Sequence, residues 1–134
     1  YSEKTLTFVN NVITPEGGTH LVGFKTALTR TINKYARAYE ILKEKDSNLG
    51  NEDVAEGLTA IVSVKVPEPQ FEGQTKAKLG NAEVRGIVDK IVGEKLYEFF
   101  EENPKTARAM IDKSLLAFRA RLAARNARDT IIRK

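Results

Sequence analysis

Large apolar residues recur along this chain with two different periods, and the switches between them lay out its elements. Residues 5–9 alternate, with Leu6 and Phe8 on one face and Thr5, Thr7 and Val9 on the other, the pattern of a strand half buried against a core. Residues 10–18 break that pattern through Pro15, Gly17 and Gly18, which read as a turn, and Thr19 stands where the N-cap of a helix belongs. From 20 to about 45, Leu21, Phe24, Leu28, Ile32, Tyr35, Tyr39 and Leu42 return every three or four residues, which predicts one long amphipathic helix. Residues 46–56 are polar, contain Gly50, and read as a connector with one helical turn at 52–55. Alternation resumes over 58–66, where Leu58, Ala60, Val62, Val64 and Val66 oppose Thr59, Ile61, Ser63 and Lys65, and Pro67 and Pro69 then stop the strand.

A stretch of roughly fifteen residues without periodicity follows, PEPQFEGQTKAKLGN over 67–81. Asn81 then caps a second helix, whose Val84, Ile87, Val88, Ile91, Val92, Leu96, Phe99 and Phe100 predict a broad apolar face to about 102. Asn103-Pro104 resets the pattern, since Asn suits an N-cap and Pro the first helical position. The third helix begins with a core-facing stripe of Ala107, Met110, Ile111, Ser114, Leu115, Phe118 and Leu122. Beyond it the chain is mostly alanine and arginine until Ile131, residues that favour helix but bury nothing, so the helix is expected to leave the body. Two evident strands are too few for a sheet. The missing partners are expected either in segments that read as loops or upstream of Tyr1, where the lack of an initial methionine suggests a piece of a longer protein.

Composition narrows the class. At 134 residues and 41% apolar content the chain is of single-domain size with enough material for a core. It has no cysteine, which removes disulfides and thiolate metal sites, and its one histidine, His20, argues against zinc and for a local hydrogen-bonding or packing role. No apolar run is long enough to cross a bilayer. The net charge of +4 is unevenly spread: residues 104–134 hold nine basic residues against Asp112 and Asp129, so the preceding part is net acidic. Such an excess at one end points to a polyanion or an acidic partner.

Three groups of residues carry candidate chemistry. Behind Gly73, the residues Gln74, Thr75 and Lys76 offer an amide, a hydroxyl and an ammonium, with Lys78 nearby, a set that suits phosphate although a solvated loop can look the same. Lys25 sits near a helix N-terminus, where a cation opposes the macrodipole. Arg30, Lys34 and Arg37 project opposite the apolar stripe and read as a solvated face.

The motifs NNVITPEGGTHLVGFKTALTRTINKYA, EGLTAIVSVKVPEPQFEGQTKAKLGNAEV and ENPKTARAMIDKSLLAFRARLAARNAR, in this order, closely resemble the transducer domain of the ATPase component of bacterial type IIA topoisomerases, that of DNA gyrase B more than its topoisomerase IV counterpart. The resemblance implies an α+β fold. A small sheet would be backed by helices, as in the second domain of a small-subunit ribosomal protein, with a left-handed βαβ crossover. The body would occupy 1–103 and a long basic helix 104–134, with a GHKL-type ATP-binding domain before it and a metal-binding Toprim domain after it in the parent protein.

It further implies that Lys76 reaches the γ-phosphate of ATP as sensor and catalytic group, that Gln74 contacts the same phosphate, and that ATP with Mg2+ is bound by the parent rather than by this chain. Lys25 matches a basic position lining a cavity through which DNA passes, where the family often has arginine, and Arg119, Arg121, Arg125 and Arg128 would add to that wall. The implied partners are DNA, the gyrase A protein and a second copy of the gyrase B protein (a homodimer), in the cytoplasm, with no membrane and no metal site in this chain. The competing class is a stand-alone nucleic-acid-binding module built on the basic final helix.

Overall fold

Strands β1 (Lys4–Val9) and β3 (Thr59–Val64) lie side by side in parallel, in a register that sets Leu6 beside Ile61 and Val9 beside Val64. A computed structural model describes residues 4–56, 58–72 and 78–132, with side chains as far as 128. The third strand of this sheet, β2 (Val12–Ile13), comes from the segment expected to be a plain turn. Asn10 and Asn11 both adopt positive φ, 50° and 66°, the requirement of a type I′ turn, and so fold β2 back antiparallel onto β1. One of the missing partner strands was therefore hidden in a loop. The fold is α+β: a small mixed sheet, helices, and a long C-terminal helix.

The sheet buries the less apolar face of β1. Thr7 and Val9 face inward, whereas Leu6 is 50% exposed, because the inner face must receive a polar network as well as a core. In that network the Thr7 hydroxyl donates to the Thr14 carbonyl at 2.8 Å, the Thr14 hydroxyl to Thr7 Oγ1 at 2.8 Å, and His20 Nε2 lies 3.1 Å from Thr14 Oγ1. With both hydroxyl protons committed in this direction, His20 must donate from Nε2, which leaves Nδ1 bare and buried, with no partner among the described residues. His20 thus has the local hydrogen-bonding role that its isolation in the sequence suggested.

Helix α1 (Thr19–Ala38) runs about 30 Å by its length. It stops well short of 45: Tyr39 caps it, Glu40 turns left-handed with φ 59°, and the amides of Ile41 and Leu42 both bond the Ala36 carbonyl. Leu42 belongs to the core but reaches it from the connector, which is why the apolar stripe runs on past the end of the helix. Gly18, not Thr19, is the N-cap, and Thr19 Oγ1 is a second buried atom with no partner among the described residues. The short helix α2 (Asn51–Ala55) follows, held to α1 by a reciprocal pair in which Asn33 Nδ2 donates to the Leu49 carbonyl at 2.9 Å and the Leu49 amide donates to Asn33 Oδ1 at 2.8 Å.

Helix α3 (Ala82–Glu102) packs along α1, and α4 (Pro104–Ile132) turns back from Asn103. Leu28, Ile32 and Tyr35 of α1, Phe100 of α3, Ile111 of α4 and Val54 of α2 form the larger core. The smaller joins Val9, Val66, Val84, Val88 and Leu79 under the sheet, with Phe24 touching both. The broad apolar face expected for α3 is only half covered. Ile87 and Ile91 border an open groove of about 430 Å³ with Val62, Val64 and Ile61, the last 68% exposed, along the edge of β3 that has no strand partner among the described residues.

Burial without an acceptor for a second N–H lowers the pKa of His20 below its ordinary 6.5. The unfolded chain then binds a proton before the folded one does, so stability is full above about 6.5 and falls as pH drops from 6.5 towards the lowered folded value. Thermal unfolding at steps between pH 7.5 and 5 is expected to show the midpoint falling in this window. The decline should be shallower in His20→Gln, which cannot take up the proton.

Candidate functional site: the hairpin base and the basic faces

The segment 67–81, expected to lack structure, is bracketed by the arms of a hairpin. β4 (Phe71–Glu72) and β5 (Lys78–Leu79) pair antiparallel, Phe71 with Leu79 and Glu72 with Lys78, and Lys78 Nζ lies 3.4 Å from Glu72 Oε2 across the arms. Gln74, Thr75 and Lys76, the residues on which the phosphate reading rests, fall with Gly73 and Ala77 outside the described residues. What the structure fixes is how the arms are fastened.

Asn81 holds the outgoing arm rather than capping α3 through its side chain. Its Oδ1 accepts from the Gln70 amide at 2.5 Å, and its Nδ2 donates to the Glu68 carbonyl at 3.2 Å and to Glu83 Oε1 at 2.9 Å. The Asn81 amide bond to its carboxylate keeps Glu83 ionised to lower pH than usual. The returning arm lies against the start of α1: the Leu79 amide donates to the Gly17 carbonyl at 3.0 Å, and Gly18 forms a parallel bridge with Leu79. This approach leaves no room for a side chain. A Cβ on Gly18, whose φ is 128°, would stand 2.3 Å from the Leu79 carbonyl oxygen. Leu79 itself is fully buried in the smaller core. The base of the hairpin is thereby joined to the N-termini of both α1 and α3.

Lys25 lies further along α1, partly buried, at the edge of a groove of about 750 Å³ that also takes in Arg30, Lys34, Arg37 and Asn51. The three cations expected on a solvated face lie on one, Arg30 and Lys34 exposed and Arg37 half-buried, and each also holds a neighbour. Arg30 is ion-paired with Asp89 of α3, and Lys34 Nζ sits 4.7 Å above the Tyr97 ring. Arg37 closes the connector after α1 by donating to the Lys43 and Asp46 carbonyls at 3.0 and 2.8 Å and to Asn48 Oδ1. Their spacing opposite the stripe gave no hint of this, because the partners come from α3 and an irregular loop.

From 119 to 128 every residue of α4 is exposed, so the helix leaves the body after Phe118, earlier than the stripe to Leu122 predicts, and Leu122 itself is 42% exposed. The four arginines do not make one wall. At about 100° per residue, Arg121, Arg125 and Arg128 share one side of α4 and Arg119 lies nearly opposite. Arg121, expected to face DNA, is turned back into the body: Nη2 donates to Asp53 Oδ2 at 2.9 Å and Nε to Asp53 Oδ1 at 3.1 Å, with Glu52 Oε2 at 3.9 Å. The Asp53 bonds raise the pKa of Arg121. Asp53 also accepts from the Gly50 amide at 3.0 Å, closing the first turn of α2. Sequence reading missed Asp53. The signal available was an acidic residue three positions after Gly50 at the start of a helical turn. Among the described residues no cluster of His, Cys, Asp or Glu could hold a metal ion, and no helix is long and apolar enough to cross a membrane.

The family model for DNA gyrase B matches residues 1–130. The DNA gyrase B protein of Clostridium acetobutylicum is 60% identical over all 134 residues, and that of Bacillus mycoides 58%, the chain covering 21% and 33% of these relatives. The chain therefore spans about a fifth to a third of their length. Among solved structures, the 43K ATPase domain of Thermus thermophilus gyrase B superimposes with a TM-score of 0.88 at 46% identity, over 97% of this chain and 35% of the other. A topoisomerase IV ATP-binding domain of Francisella tularensis gives 0.81 at 31%, over 89% and 33%.

The packing at Gly18 and the open surroundings of Gly86 in α3 predict opposite outcomes for one substitution. Gly18→Ala is expected to destabilise the fold by about 3 kcal/mol or more, from a forbidden φ and a backbone clash. Gly86→Ala, with nothing within 4 Å of the added methyl, is expected to stabilise it by roughly 0.5–1 kcal/mol. Urea unfolding of the two variants beside the unmodified chain measures both.

Proposed function

Since the chain belongs to the DNA gyrase B family, we propose that it is the transducer of an ATP-dependent type II topoisomerase, coupling nucleotide at one end to DNA handling at the other. The observation that carries this reading is the fastening of the hairpin base: a force on the tip has rigid partners at Gly17, Gly18 and Asn81, and through them at two long helices. In this reading Lys76 and Gln74 engage the terminal phosphate of ATP. An ammonium and an amide are suitable donors for a phosphate oxygen, and neither recognises the rest of the nucleotide.

ATP with Mg2+ would be held by another part of the parent protein and supply a terminal phosphate whose charge changes on cleavage. Lys76 balances that charge and has it within reach only before hydrolysis and release. Docking of the hairpin is then favoured by ATP over ADP, which is the differential affinity that a nucleotide switch needs. Because Leu79 is locked in the smaller core, the hairpin moves with the ends of α1 and α3 rather than independently of them.

Lys25, on the groove of α1, and Arg119, Arg125 and Arg128, on the exposed part of α4, are assigned to contacts with the phosphates of passing DNA. Such contacts are independent of sequence and weaken with salt. Arg121 is left out of this group because Asp53 occupies its fork. The gyrase A protein and a second copy of the parent gyrase B protein complete the proposed assembly, in the cytoplasm.

In the intact parent protein, Lys76→Ala is expected to lower steady-state ATP turnover by about two orders of magnitude while a non-hydrolysable analogue still binds. Unchanged turnover would remove Lys76 from the mechanism. The 134-residue chain alone is expected to bind DNA weakly. Tight binding with a steep salt slope would favour a stand-alone nucleic-acid module instead.

A further inference from the structure

Asp53 and Arg121 meet where three parts of the molecule converge. Asp53 lies on α2, its carboxylate side chain only 1% exposed, and three of its contacts are described: the Gly50 amide that starts α2, and Nε and Nη2 of Arg121. A buried carboxylate needs its counter-charge, and the paired, fork-shaped contact fixes direction as well as distance. On its other side α2 is fastened to α1, by the Asn33 and Leu49 pair and by Asn51 Nδ2 donating to Thr29 Oγ1 at 3.2 Å. Beyond α2 the chain joins β3, whose entry is held by the Leu58 carbonyl accepting from the Lys4 amide at 2.8 Å, and β3 leads on to the hairpin.

Arg121 lies three residues past Phe118, the last residue of α4 packed against the larger core, within the stretch where every residue is exposed. The pair therefore ties α4 to the body beyond the reach of its core packing. We propose that Asp53 and Arg121 are a positioning latch for the distal half of α4, through which a shift of β3 and the hairpin is passed to that helix. The proposal rests on the transducer reading for what drives the shift; the latch itself rests on the contacts alone. Arg121→Lys would keep the charge but lose the fork and Arg121→Ala would lose both, so the two variants separate attraction from orientation.

The test uses the intact parent protein with spin labels at two exposed positions, 44 in the connector and 124 on distal α4, and reads their distance distribution with and without a non-hydrolysable ATP analogue. The unmodified protein is expected to give one narrow distribution that shifts with the analogue. Arg121→Ala should broaden it and abolish the shift, and Arg121→Lys should retain only part of it. In the complete enzyme, supercoiling per ATP hydrolysed should fall at least about fivefold in Arg121→Ala while DNA-independent ATP turnover stays within about twofold. A merely structural contact would lower the thermal midpoint and leave the coupling ratio and the distribution of the folded fraction unchanged, which would overturn the proposal. If Lys76→Ala, run in parallel, leaves turnover unchanged, the transducer reading fails. The nucleotide-free distance distribution still decides the latch, with an unbroadened Arg121→Ala overturning it.

Discussion

The contact on which the rest depends is the approach of the returning hairpin arm to the backbone at Gly18. It is made of one hydrogen bond, one bridge and a buried leucine, and it tolerates no side chain. Without it the hairpin would hang from the end of β3 as an ordinary surface loop, mobile independently of the helices. With it, the two described arms of the hairpin are fastened to the starts of α1 and α3. The double glycine therefore has two separate duties: Gly17 and Gly18 both take positive φ to turn the chain into α1, and Gly18 also lets Leu79 in.

Much of the fold was legible where periodicity is long. β1, β3, α3 and α4 stand within a residue or two of where the apolar pattern put them, and so does the helical turn of α2. The failures are short elements and ends. β2, β4 and β5 have two residues each, too few for any alternation to register, and they exist because Asn10 and Asn11 accept positive φ and because Leu79 finds a core. The end of α1 was misplaced because Leu42 continues the stripe in sequence while reaching the core by a different route. The inward face of β1 was hidden because a threonine and histidine network outweighs the greater apolarity of Leu6.

Charge was the least legible property. Sequence shows how many cations a face carries, and the structure shows that several of them are engaged. Arg30, Lys34, Arg37 and Arg121 each hold a partner from elsewhere in the chain, Asp89, Tyr97, the connector carbonyls and Asp53. A count of basic residues therefore overstates the charge available to a polyanion. It also hides the fact that one arginine of an apparent row can point the opposite way from the others. Of the candidate site, the exposure of the distal arginines was legible in the alanine and arginine run, and the fastening of the hairpin arms at Gly17, Gly18 and Asn81 was not.

The edge of β3 that lacks a strand partner among the described residues has a consequence for the chain in solution. It runs beside Ile61, Ile87 and Ile91, so hydrogen-bonding capacity and apolar surface coincide along one line. That combination is a template for strand addition, and two copies of the chain can satisfy each other there. Association of the 134-residue chain at high concentration would then run through this edge. A charged residue at Ile61, on the outer face of the sheet, is the natural way to keep it monomeric.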